Sequence, residues 1–401
     1  MIPTRLSHEA EARKHSGAFV DLYGELLMKG DPLADAFAAD VERLGHKTAM
    51  TMLETALDRG IGAVAHPPES LVRLFAQLDD VPPWVDWDRM ERGARAYQRT
   101  GMAGSMTLSA VSLMNGYHSS AAIKPLLFTG QLDKMARRRL AETGKFIAET
   151  IQVDGLRRFS QGFKSTVKVR IVHAFVRRML QHSDRWDSDA WGLPINQADM
   201  GATNLSFSIA LIHGVRTIGL KYTREDADAI IHLWRYSGYL SGVDLALLAT
   251  NEEEAWYRAE VIDLMQPDFD EGSLVLAEAL RSATQERTDD PVRRAVMPYV
   301  MGFHDGLTRV VIGDEKADHL KTPHKEWARV VRGMSHVIGA IESVSERIPL
   351  ATELAERLGN RAWLTVVAME LGDKAATFEP PREVPFAHRF RRKKTAETHA
   401  A

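Results

Sequence analysis

The 401-residue chain contains no cysteine. That absence excludes disulfides, thiolate nucleophiles, cysteine-ligated iron–sulfur clusters and thiolate-ligated haem, so any metal must be held by His, carboxylate, Lys, Met or Tyr. No segment offers the ~18 uninterrupted apolar residues of a membrane span, and the N-terminal MIPTRLSHEAEARKH has no apolar signal core. We therefore expect a cytoplasmic protein. Basic blocks are missing from the body of the chain and the formal net charge is only -3, so no electrostatic argument favours nucleic acid. Hairpin signals are scarce and no repeat of fixed period is found. None of the 15 histidines has Asp or Glu three residues before it, so the Glu-x-x-His signature of a carboxylate-bridged di-iron bundle is missing too.

What is present reads as helix. With 45% hydrophobic residues the chain can bury a sizeable core. The stretch ADAFAADVERLGHKTAMTMLETALDRG is rich in Ala, Leu, Met and Glu and closes on Gly60. HPPESLVRLFAQLDDVPPWVD starts a helix at Pro67 and Pro68 and ends it at Pro82 and Pro83. DPVRRAVMPYVMGFHDGLTRVVIG and PHKEWARVVRGMSHVIGAIESVSERI have the same character. These segments are joined by short Pro, Gly or Asp turns. We expect an all-α fold built as one large helical domain over residues 76–375, with an N-terminal helical extension over 1–75 and a flexible tail over 376–401. That tail carries Arg389, Arg391, Arg392, Lys393 and Lys394. Such a basic cluster is either a solvated end or a weak contact for an anionic membrane or partner. The oligomeric state cannot be read.

The segment VKVRIVHAFVRRML places His173 in a helical, mostly apolar run. At about 100° per residue, Val169, Val176 and Leu180 fall within roughly 60° of it on one side, and Thr166, Arg170 and Arg177 on the other. The imidazole sits between an aliphatic and a cationic stripe. A haem ring needs an apolar wall, a neutral imidazole for its iron and cations near two propionates; a histidine at the border of a buried helix face serves equally as structure. Upstream, ARRRLAETGKFIAETI sets Arg139, Glu142 and Thr143 at i, i+3 and i+4 on one face, readable as an intrahelical ion pair or as the polar side of a cavity. Downstream, Trp186, Trp191, Gly192 and Pro194 mark an aromatic-rich loop, after which Asp199 or Thr203 can cap a helix. His213, His232 and His304 lie in apolar helical surroundings and read as structural. Arg309 reads as a propionate partner or a helix-end cation near Gly313.

Four stretches together resemble a known family: VPPWVDWDRMERGARAYQRTG, RRLAET, VRIVHAFVRR with WGLPINQADMGATNLSFS, and LWRYSGYLSGV. The sequence resembles the haem b oxygenases that include bacterial latex clearing proteins (rubber oxygenases) and the fungal oxygenase of mycophenolic acid synthesis, over about residues 80–320. The resemblance implies an all-helical fold with a globin-like core, haem b as cofactor and dioxygen as co-substrate. It makes His173 the axial ligand, Arg170 and Arg177 the arginines flanking it, and Arg139 and Thr143 a distal-side pair. The sequence departs from the family at Glu142, where rubber oxygenases carry a lysine able to ligate the iron. The family's catalytic glutamate has no match in SSAAIKPLLFTGQLD. The activity implied is oxidative cleavage of a carbon–carbon double bond in a small lipophilic, isoprenoid-like molecule. A haem-binding sensor, a peroxidase-like protein and a purely structural helical protein are the alternatives.

Overall fold

Proline, aspartate and glycine divide this alanine- and leucine-rich chain into helices, and the positions of those breaks determine what packs against what. The computed structural model describes residues 2–128, 132–285, 290–323, 325–345 and 348–371. In chain order these form α1 (Glu9–Leu26), α2 (Pro32–Leu44), α3 (His46–Arg59), α4 (Glu69–Asp79), α5 (Trp87–Arg99) and α6 (Gly101–Thr107). A π-helical segment, Leu108–Leu113, leads into α7 (Met114–His118) and α8 (Lys124–Phe128). The middle of the chain forms α9 (Leu132–Thr150), α10 (Gln161–Gln181), α11 (Ser188–Trp191), α12 (Gln197–Phe207), α13 (Ile209–Ile218) and α14 (Arg224–Leu240). Last come α15 (Glu252–Met265), α16 (Glu271–Thr284), α17 (Pro291–Ile312), α18 (Asp314–His319), α19 (Trp327–Ser345) and α20 (Pro349–Leu371). No strand occurs among the described residues, and the expected all-α fold is what forms. The basic segment 376–401 lies outside the described residues.

The breaks have local causes. The Ala-rich stretch read as one helix up to Gly60 is two helices, because Gly45 takes φ 82° and turns the chain between α2 and α3. Asp31 caps α2, its carboxylate accepting from the Ala34 amide at 3.2 Å, with Pro32 at the first helical position. Asp290 and Pro291 start α17 in the same way. The cap of α12 is Asn196, which accepts from the Asp199 amide; Asp199 itself pairs with buried Arg5 at 2.8 Å. Neither residue expected to cap that helix does so.

One core runs through the molecule. Tyr23, Phe37, Leu57 and Phe75 from α1–α4 belong to the same buried cluster as Phe163 and Ile171 of α10 and Trp234 of α14. Around Trp234 the rings of Phe146, Phe207 and Tyr97 pack with centroids 5.0–6.1 Å apart. Helix α5 lies close along α14, since Gly93 presses onto the backbone of Ala229; a Cβ at Gly93 would fall 2.3 Å from the Ala229 carbonyl oxygen. Helix α10 packs on α9, α2 and α14, which places His173 at the middle of the fold. No described helix is long and apolar enough to cross a membrane.

Candidate functional site around His173

His173 lies in the fourth turn of α10 and is half-buried. Its Nδ1 is shut off from solvent and has no hydrogen-bond partner. Burial pushes the imidazole pKa down to about 4; nearby Arg177 adds to the shift and Asp31 opposes it. At neutral pH the ring is uncharged, in the state that ligates a metal. An orphaned buried nitrogen in a protein core is unusual enough to ask what it faces.

The two flanking arginines are buried and held by carboxylates. Arg170 makes a bidentate pair with Asp31, Nε to Oδ2 at 2.6 Å and Nη2 to Oδ1 at 3.0 Å. Its Nη1 donates to Gln77 Oε1 at 2.7 Å and to the Leu240 carbonyl at 3.3 Å. Arg177 pairs with Asp35 at 2.8 Å and donates to the Ile195 carbonyl at 3.0 Å. Both guanidiniums thus tie α10 to the first turn of α2, one helical turn on either side of His173. Gly242, at φ 80°, lies against this pair; a Cβ there would fall 2.6 Å from Arg170 Nε and closer still to Asp31. Gln197 completes the frame by donating to the Gly30 and Gly242 carbonyls at 2.9 and 2.8 Å and accepting from the Asp244 amide. The stretches WGLPINQAD and LWRYSGYLSGV therefore supply the polar scaffold that fixes His173.

Asp31, Asp35, Gln77 and Gln197 were not foreseen as partners. The sequence does mark Asp31 as a cap before Pro32. Nothing in it couples residue 31 to residue 170.

The second predicted cluster sits on α9. The chain turns back between α9 and α10, with Gly162 pressed onto the Glu149 carbonyl, 2.5 Å from where its Cβ would lie. Counting about 1.5 Å per residue away from that junction, Arg139 and His173 stand at the same level, roughly 15 Å along each helix. Arg139 donates to the Leu126 carbonyl at 3.2 Å. Burial lowers its pKa from the usual guanidinium range, with Tyr117 and Glu142 opposing. Glu142 pairs with Arg138 at 3.0 Å. Thr143 is partly exposed.

The remaining candidates are structural. Nε2 of His232 accepts from the Asp86 amide at 3.0 Å, and its ring packs edge-on to Trp84. His213 packs edge-on to Trp256 with centroids 4.9 Å apart. His304 is fully buried between Asp305 and Ser109, at 3.3 and 3.1 Å. Arg309, also buried, holds Asp314 and Asp318 at 3.0 and 2.7 Å and so fastens α17 to α18. Trp186 donates to the Gly192 carbonyl and stacks edge-on with Trp191. Among the described residues no group of three or more His, Asp or Glu converges on a metal position. A porphyrin brings its own four equatorial nitrogens and requires one axial side chain from the protein. His173 fits that role, its ring half-buried and neutral and its buried Nδ1 without a hydrogen-bond partner.

Comparisons with known proteins bear on the same residues. Residues 95–340, more than half of the chain, match the family model described as ER-bound oxygenase mpaB/B'/Rubber oxygenase, catalytic domain. A rubber oxygenase from Streptomyces sp. (strain K30) is 26% identical over 250 residues, 61% of this chain and 57% of the relative. The match thus spans little more than half the length of that curated protein. The solved structure of a latex clearing protein in the closed state shares the fold with a TM-score of 0.55 at 20% identity, covering 90% of this chain and 87% of the other. The matched span contains α9, α10, Gln197 and Gly242, though not Asp31, Asp35 or Gln77, and on that match the chain belongs to the family of mpaB-type and rubber oxygenase catalytic domains.

Proposed function

We propose that this protein is a haem b-dependent oxygenase that uses dioxygen to cleave a carbon–carbon double bond in a small, lipophilic, isoprenoid-like substrate. The single observation that carries the proposal is His173: a neutral imidazole with an unpartnered buried nitrogen, fixed in the middle of an oxygenase-family domain. When bound, haem b would supply the dioxygen activation that amino-acid side chains lack. His173 would hold it. Arg170 and Arg177 serve by clamping α10 against Asp31 and Asp35, so that the imidazole cannot swing away.

Arg139 stands on α9 at the level of His173 with Thr143 one turn away, and the two orient the substrate or a bound diatomic by hydrogen bonding. The partly desolvated Arg139 is a stronger electrostatic partner than a solvated arginine, since less water screens it. Glu142 supplies an acceptor or proton carrier in place of the lysine of rubber oxygenases, and its ion pair with Arg138 holds the carboxylate in position. The lack of that lysine and of a placeable counterpart of the family glutamate argues against rubber as the substrate.

The test is an absorption spectrum with a pyridine haemochrome assay on protein expressed with ample haem. Wild type should show a Soret band with close to one haem per chain, and His173→Ala should lose the band or its ligation. A colourless wild type, or a His173→Ala variant with an unaltered spectrum, overturns the reading. Oxygen uptake with prenyl substrates should then be abolished in His173→Ala. The pairing of Glu142 with Arg138 also favours a second reading, a haem protein without oxygenase activity, which a normal spectrum with no turnover of any alkene would select.

A further inference from the structure

Helix α19 carries an apolar stripe that the described residues do not cover. Val330, Met334, Val337, Ile341 and Val344 are 41–62% exposed, and Ile348, at the same step beyond the helix end, is 49% exposed. The spacing alternates four and three residues, which is the 3.5-residue period of a coiled-coil seam. The opposite side of the helix, through Ala328 and Val331, is buried against the body. Beside the stripe stand Gly333 and Ala340, seven residues apart, small enough to let another helix backbone approach. On α20, Leu350, Leu354 and Leu358 extend the apolar surface at 56–77% exposure. Side chains of this size at about half exposure present on the order of 800 Å² per copy, the size of one side of a stable protein interface and above the largest patch typical of a monomer.

We propose that this stripe is the interface with a second copy of the chain, the two α19 helices packing antiparallel about a two-fold axis near Gly339. In that register Met334 meets Val344 of the other copy, Val337 meets Ile341, and Val330 meets Ile348, so every seam residue finds an apolar partner. A two-fold interface needs one self-complementary patch, and this sequence reads the same in apolar pattern from either end. Arg329 and Arg332 are the only arginines or lysines of the helix, and both lie in its first two turns. An anionic lipid surface would instead call for cations along the whole length.

Sedimentation velocity of the full-length protein tests this directly. Wild type should sediment as a dimer of twice 44.8 kDa, and Val337→Glu and Ile341→Glu, both at exposed positions, should each yield monomers with unchanged circular dichroism. Because the chain has no other cysteine, Ala340→Cys should become cross-linked copy to copy by a short bismaleimide, while Lys14→Cys on α1 should not. A monomeric wild type at 100 µM-scale loading, glutamate variants that stay dimeric, or wild type that stays monomeric and binds phosphatidylserine vesicles, would each overturn the proposal.

Discussion

At the scale of single residues, the chemistry turns on what each polar group in the core has for a partner. Arg170 is satisfied on nearly every donor, and its charge is balanced by Asp31. Removing one member of a buried ion pair leaves an uncompensated charge, which costs about 3–5 kcal/mol. Arg170→Met should therefore lower stability by that amount in urea unfolding, whereas the double variant Arg170→Met with Asp31→Leu should recover most of it. If the two single changes simply add, the pair is not the clamp described above. His173 is the contrasting residue: nothing satisfies its Nδ1, and the same desolvation that keeps it neutral leaves it available as a ligand. Glu142→Lys restores an amine at the position that distinguishes this chain from rubber oxygenases. In the haem-loaded protein it should shift the visible bands, and an unchanged spectrum would place that side chain away from the cofactor. The local spacing of Arg139 and Glu142 was legible, but the ion pair of Glu142 with Arg138 was not, since either Arg138 or Arg139 can reach Glu142 along a helix.

At the scale of elements, helix boundaries followed local signals and helix contacts did not. The starts of α4 and α17 were readable because proline and aspartate act within a single turn. The split at Gly45 was hidden because an Ala-, Met- and Glu-rich run on both sides argues for continuity, and one glycine is tolerated in many helices. Which helices approach closely depends on glycines that carry no signal of their own. Gly93 is such a case: adding a methyl group forces α5 away from the α14 backbone, so Gly93→Ala should destabilise by about 1–3 kcal/mol, as overpacked cores do. Urea midpoints compared with Gly116→Ala, where a Cβ meets nothing within 4 Å, give the control. An equal effect at both sites would mean that the α5–α14 contact is not tight.

At the scale of the whole molecule, the burial of neutral histidines gives the fold a pH dependence of definite sign. His173 and His232 both have pKa values pushed down to about 4, chiefly by burial, against about 6.5 in an unfolded chain. The unfolded state then binds protons more readily than the folded one, so the stability is complete above about pH 6.5 and is lost as pH falls towards 4. Each group contributes at most about 3 kcal/mol to that loss. Unfolding midpoints measured from pH 7 to pH 4 should fall accordingly, and His232→Gln should flatten the slope; a flat profile in wild type would contradict the burial described. The sequence by itself determined the helical class, the exclusion of thiolate chemistry and the position of His173 on a seam, because composition, absence and helical period are local properties that need no knowledge of the fold. Only the tertiary structure decided that Arg170 and Arg177 face carboxylates at the start of α2 and that the described residues leave one stripe of α19 uncovered. Those outcomes depend on contacts between residues more than 130 positions apart, and on which surfaces the rest of the chain buries, neither of which any short stretch of sequence encodes.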